Sequence, residues 1–244
     1  MNQQCSAVIM GVGPERGLGA TLAKLLAAKG FHVFIAGRTE KKLQTVAKSI
    51  RENGGNITAV LADATDENDV RHLFAKIRSH NTVLQIAVYN VDSNIPSPIL
   101  ETDTDTFTRL WQQNCLGAFL FAQASIECME VNQQGTIFFT GATASLRARP
   151  PFTAFASAKA ALRALAQGLA REFSPAGIHV VHAIIDGVID GDRAAEQFPE
   201  YYKSKSKDGL LQLQAIAETY WAIHCQHRSA WTHELDLRPY KEPF

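Results

Sequence analysis

Seven residues near the amino terminus, Gly13-Pro14-Glu15-Arg16-Gly17-Leu18-Gly19, constrain this chain more than any other stretch. They follow the apolar, β-type run Ser6–Met10 and open a segment with Leu18, Leu22, Leu25 and Leu26 on one helical side, stopped by Gly30. A strand that passes straight into a helix through glycines lets another molecule approach the backbone closely, and it aims unpaired helix N–H groups at that molecule. A pyrophosphate suits such a place; an ordinary βα turn is the plainer alternative.

Strand and helix signals then alternate almost to the end. Val33–Ala36 reads as a strand and Lys41–Asn53 as a helix closed by Gly54-Gly55. Asn56–Leu61 and Val83–Tyr89 read as further strands, with a helix starting near Asp66 between them. About Asp103 to Glu130 is the longest helical stretch, and Gly135–Thr140 the fifth strand. Pro150 and Pro151 open a helix that runs to about Phe173 and stops at Ser174-Pro175-Ala176-Gly177. Ile178–Ile185 is a sixth strand, Leu210–Cys225 a helix and Trp231–Leu237 a last strand. The polar stretch Asp190–Gly209 breaks this rhythm and reads as irregular. The alternation predicts an α/β fold: a Rossmann-type, doubly wound parallel sheet of about seven strands in a three-layer α/β/α arrangement. With 244 residues, no repeat and no linker, the expectation is one dinucleotide-binding domain over 1–244.

Twenty-four basic residues balance 24 acidic ones, which gives no electrostatic reason to expect nucleic acid or an anionic membrane as partner. Neither a signal peptide nor a membrane-spanning run is legible. Cys5, Cys115, Cys128 and Cys225 lack metal-ligand spacing and read as reduced packing residues, so no metal is expected. These features together suggest a soluble, cytoplasmic protein.

The end of the second strand selects the cofactor. An NAD-binding site usually places a carboxylate there for the ribose 2′-hydroxyl, whereas a 2′-phosphate calls for cations. Here the strand ends Ala36-Gly37-Arg38-Thr39, and Arg16 sits inside the glycine turn. Two guanidinium groups converging on one phosphate favour NADP(H); alternatively, each arginine is a solvated surface residue.

Beyond those residues, the chain resembles the short-chain dehydrogenase/reductase family over almost its whole length. The family's glycine motif falls on Gly13, Gly17 and Gly19, with Val12 where a threonine usually stands. Its adenine-binding aspartate falls on Asp63, in Leu61-Ala62-Asp63-Ala64-Thr65-Asp66, and its Asn-Asn-Ala-Gly segment appears as Tyr89-Asn90-Val91-Asp92. The active-site asparagine falls on Asn114 and the ribose-holding lysine on Lys159. The catalytic tyrosine position holds Phe155 and the catalytic serine position Ala142, while Asp186-Gly187-Val188-Ile189-Asp190 stands where Pro-Gly-x-x-x-Thr contacts the carboxamide. This combination is similar to a divergent subgroup with phenylalanine in place of the tyrosine. The resemblance implies cofactor contacts from Gly13, Arg16, Gly17, Leu18, Gly19, Arg38, Asp63, Ala64, Asn90, Lys159 and Gly187. It implies a degenerate catalytic set of Lys159, Asn114, Phe155 and Ala142.

Loss of a positioned acid and of an oxyanion donor removes factors of roughly 10²–10⁴ each from carbonyl chemistry. Thr140, Thr143 or Ser145 are the nearest substitutes in sequence; alternatively, a conjugated alkene or an iminium substrate needs no acid. Phe155 also belongs to a helical apolar stripe with Ala158, Leu162, Leu165 and Leu169, and Lys159 has a surface reading as well. For Asp186 and Asp190, helix capping competes with a place at the nicotinamide. For His179 and His182, packing is the better reading. Two functions remain: an NADP(H)-dependent oxidoreductase of a small organic substrate with a lid near 190–209, or a non-catalytic NADP(H)-binding sensor or scaffold. Ala154, Ala158, Ala161 and Ala164 favour close helix packing, and the family resemblance implies a homodimer or homotetramer.

Overall fold

The computed structural model describes residues 4–206 and 208–241. Seven parallel strands form one sheet: β1 (Cys5–Met10), β2 (His32–Gly37), β3 (Ile57–Leu61), β4 (Val83–Tyr89), β5 (Gly135–Thr140), β6 (Ile178–Ile185) and β7 (Glu234–Leu237). Their spatial order is β3-β2-β1-β4-β5-β6-β7, so the winding reverses between β1 and β4. The central strands are apolar on both faces because both are covered: Ala7, Val8 and Ile9 of β1 are wholly buried.

Helices α1 (Leu18–Ala28) and α2 (Glu40–Glu52) pack on one face through Leu22, Leu26, Val46 and Ile50. On the other face α3 (Glu67–Ser79) contributes Leu73 and Phe74 to a second core. Asp66 caps α3 through bonds from the Asn68 and Asp69 amides, as a short acceptor at that position does.

The long helical stretch is not one α-helix. It divides into α4 (Thr104–Trp111), a π-helical turn at Gln112–Leu116 and α5 (Gly117–Glu130). Tyr89 Oη donates to the Gln113 carbonyl at 2.6 Å, which supplies a partner inside that widened turn. At Gly117 a Cβ would fall 2.4 Å from the same Oη, so no larger residue fits as the helix resumes. α6 (Thr153–Phe173) follows a cis Pro150–Pro151 bond and packs beside α5 through Leu162 and Ala166.

The 190–209 stretch also differs from its irregular reading. It contains two single-turn-scale helices, α7 (Asp192–Gln197) and α8 (Pro199–Ser204), too short to show a periodic pattern. Finally, α9 (Leu213–His224) joins α1 and α2 on the first face through Ile216 and Tyr220. Among the described residues no helix is long and apolar enough to cross a membrane.

Candidate functional site

A cleft of about 740 Å³ crosses the carboxyl ends of the strands, from Arg38 after β2 to Gly187 after β6. That is where a doubly wound sheet opens, beside the reversal between β1 and β4. The glycine turn forms its near wall. Gly11 has φ +96°, and a Cβ there would come within 2.6 Å of the Asn90 carbonyl carbon. The turn therefore lies directly against the segment after β4, and Asn90 Nδ2 donates to the Gly11 carbonyl at 3.2 Å. A Cβ on Gly13 meets nothing within 4 Å, so the cleft reaches the backbone there. α1 starts at N-cap Gly17 with no side-chain cap and no acid in its first turn, leaving its first amides to whatever occupies the cleft.

Each residue expected at the cofactor lines this cleft: Gly13, Arg16, Gly17, Leu18, Gly19, Arg38, Asp63, Ala64, Asn90, Lys159 and Gly187. Arg38 Nη1 lies 3.8 Å from Asp63 Oδ2, both on the solvent side. Asp63 Oδ1 accepts from the Thr65 amide and hydroxyl, which fixes its loop. Lys42, on α2, adds a second cation beside Arg38. Its place four residues past Arg38 is a local signal for this role.

Arg16 points elsewhere. Its guanidinium lies 3.2 Å from Asp190 and 3.5 Å from Asp192, and its carbonyl accepts from the Asp192 amide at 3.0 Å. Asp190 also accepts from Tyr202 and from Gln212 Nε2. The residues 190–204 are thereby tied to the glycine turn. Asp190 serves that tie rather than capping: the N-cap of α7 is Gly191, with no side-chain cap.

At the far end, Lys159 is the decisive group. Its side chain is 1% exposed, and Nζ donates to the Thr140 carbonyl at 2.9 Å and sits 3.6 Å from Asp92 Oδ1. Burial pulls its pKa down, and Asp92 opposes that pull. Asp92 also meets Arg193 of α7 at 3.4 Å. Phe155, 5% exposed, lines the cleft with its ring centroid 5.7 Å from Lys159 Nζ, and Ala142 lines it too. Neither has a hydroxyl to offer. Asn114 is wholly buried in the π turn, where Nδ2 donates to Leu110 O at 2.9 Å; the cleft wall there is formed by Gln113. Asn114 Oδ1 and Gln113 Oε1 are buried with no hydrogen-bond partner among the described residues.

The nearby hydroxyls are already engaged. Thr140 Oγ1 shares a hydrogen bond with Tyr220 Oη, Thr143 donates to Asp186 at 2.6 Å, and Ser145 Oγ accepts from the Ala142 amide. Asp186 is 3% exposed and also binds Arg147 at 2.5 Å and Arg238 at 2.9 Å. Burial pushes its pKa up, but Thr143, Arg147 and Arg238 outweigh that and hold it below the usual range. It anchors the loop after β5; it caps no helix. His179 stacks on Trp231 as a packing residue, whereas buried His182 bonds Glu234 at 2.9 Å, a carboxylate that Arg163 also holds.

The family model described as short chain dehydrogenase matches residues 7–201, most of the chain. The chain belongs to the short-chain dehydrogenase family. A short-chain dehydrogenase from Rhodopseudomonas palustris is 38% identical, with a TM-score of 0.83, over 97% of this chain and 99% of that one. An uncharacterized oxidoreductase of Staphylococcus aureus USA300 is 26% identical over 233 residues, 96% of each protein. An alcohol dehydrogenase from Thermococcus sibiricus, solved with 5-hydroxy-NADP, is 21% identical with a TM-score of 0.82 over 99% of this chain and shares the fold. Lys159, Phe155 and Ala142 all line the cleft of this short-chain dehydrogenase fold.

Proposed function

We propose that the protein is an NADP(H)-dependent oxidoreductase with a degenerate catalytic set, acting on a small organic substrate. The observation that carries this reading is the buried ammonium of Lys159 at the floor of a cleft that begins at a glycine turn. A full charge is kept out of water only where it has partners to serve. Its place suits ribose hydroxyls, which accept from Nζ alongside the Thr140 carbonyl and Asp92.

The residues fit the dinucleotide at both ends. Arg38 and Lys42 offer two cations to a 2′-phosphate, with no acid at the end of β2 to repel it. Gly13 and the uncapped start of α1 offer close backbone and free amides to a pyrophosphate. The 5-hydroxy-NADP bound to the Thermococcus protein is in keeping with this choice of cofactor. When bound, NADP(H) supplies or accepts the hydride. This chain's residues hold it, exclude water through the segment 190–204, and position the acceptor beside Phe155.

Phe155 and Ala142 carry no proton donor, which costs ordinary ketone reduction at least about 5 kcal/mol. A conjugated alkene or an iminium avoids that cost, because positioning and cofactor chemistry suffice. The same two residues favour the second reading, a non-catalytic NADP(H)-binding sensor or scaffold. Assay of ketones, enones and imines with wild type and Phe155→Tyr separates them. Turnover of enones or imines by wild type, with ketone reduction gained in the variant, supports the enzyme. Tight NADPH binding without oxidation across the panel supports the sensor. Pairing of two or four copies through α5 and α6 belongs to this proposal too, and sedimentation velocity tests it.

A further inference from the structure

The cleft carries a second concentration of cations at the end opposite Arg38 and Lys42, away from the glycine turn that suits the phosphates. Arg147 and Arg149 stand on the loop between β5 and α6, and both line the cleft together with Ala142 and Phe155. Arg147 is held from behind: Asp186, itself 3% exposed and fixed by Thr143 and Arg238, accepts from Nη2 at 2.5 Å, while the Arg147 side chain stays 36% exposed. Arg149 has no ion pair or side-chain hydrogen bond among the described residues. Across the cleft, Lys159 and Arg193 share Asp92. Three carboxylates, Asp92, Asp186 and Asp236, thus stand among five cations, Arg147, Arg149, Lys159, Arg193 and Arg238, and positive charge is in excess. The walls between them are apolar and aromatic, from Phe152, Phe155 and Phe198.

A neutral ketone has no use for that excess. A carboxylate does, because a guanidinium fork binds its two oxygens with charge-assisted bonds in a partly enclosed site. We propose that this end of the cleft binds a substrate consisting of an apolar body and a carboxylate, the carboxylate held by Arg147 and Arg149 and the body lodged among Phe152, Phe155 and Phe198. The proposal rests on the reading above, in which the dinucleotide occupies the other end. It also supplies hydrogen-bond donors at a place where Ala142 and Phe155 have none. Arg147 then acts as an oriented anchor, fixed by Asp186, and Arg149 as a capture charge at the mouth.

The test is calorimetric titration with cinnamate and with cinnamamide, which share a skeleton and differ in charge, each with and without saturating NADPH. The expected result is cinnamate binding at least tenfold tighter than cinnamamide. Arg149→Gln, an exposed position that leaves the fold alone, should cut cinnamate affinity about tenfold and leave cinnamamide and NADPH affinities unchanged. Arg147→Gln should do the same or more. Equal affinities for the two compounds, or no binding of either, in protein that binds NADPH overturns the carboxylate site and leaves the cofactor reading intact. A preserved preference for cinnamate in protein that ignores NADPH supports the carboxylate site and removes the cofactor reading instead.

Discussion

Replacing Asp92 with asparagine should lower the stability of this protein by about 2 kcal/mol, because it strands a buried ammonium. Lys159 Nζ and Asp92 Oδ1 are 3.6 Å apart. At an effective dielectric of about 20 that separation corresponds to about 5 kcal/mol of attraction. Asp92 is 31% exposed and shares its charge with Arg193, so solvent and the second cation reduce the usable part to about 2 kcal/mol. For a domain of this size each kcal/mol moves the melting temperature by roughly 2–4 °C, so Asp92→Asn should melt about 4–8 °C below wild type. The assay is thermal unfolding followed by circular dichroism at neutral pH. Glu200→Gln is the control, since its pair with Lys203 is exposed and should shift melting by no more than about 2 °C. Lys159→Met removes the buried charge itself, so the double variant should be more stable than the sum of the two single losses. Melting of Asp92→Asn within about 1 °C of wild type, or strict additivity in the double variant, would refute the argument that Lys159 is a buried charge held by Asp92.

Gly11→Ala should fail to fold or lose more than about 2 kcal/mol, because φ +96° and a 2.6 Å approach to Asn90 leave no room for a methyl group; soluble protein of normal melting temperature would contradict this. Arg38→Ala and Lys42→Ala should each weaken NADPH binding about tenfold, as measured by fluorescence titration, and leave NADH binding unchanged. Acid should destabilise the protein from about pH 6.5 downward. Burial holds His182 and His224 at about 4, below the ordinary histidine value, so the unfolded chain takes up their protons first. Their contribution is complete above about pH 6.5 and is lost as pH falls through about 4, at up to roughly 2.7 kcal/mol per pH unit for the pair. Chemical denaturation between pH 7 and 4.5 checks it: His224→Gln should make the slope shallower by up to about 1.4 kcal/mol per pH unit, and a flat wild-type profile would remove the assignment.

The fold was legible because its signals are local and repeated. β4, β5 and β6 begin and end where apolar runs meet turn residues, and the parallel order follows from the alternation with helices. The π turn at Gln112–Leu116 was not, since it depends on Tyr89, a partner 24 residues away. That the glycine turn and Arg38 share one cleft was legible, because each acts near its own place in the chain. Arg16 shows the limit: its position in the turn is local, but its engagement with Asp190 and Asp192 spans 174 residues for the first of them. The roles of Asp92, Arg147 and Arg193 were illegible for the same reason. Each acquires its role from a partner brought close only by the packing of α6, α7 and the loop after β5 onto the sheet.

The proposed function requires a dinucleotide carrying a 2′-phosphate in this cleft. Parallel calorimetric titrations with NADPH and NADH test that most directly. Saturable NADPH binding with at least tenfold preference over NADH is the expected result. No heat with either nucleotide, or equal or tighter binding of NADH, would contradict it.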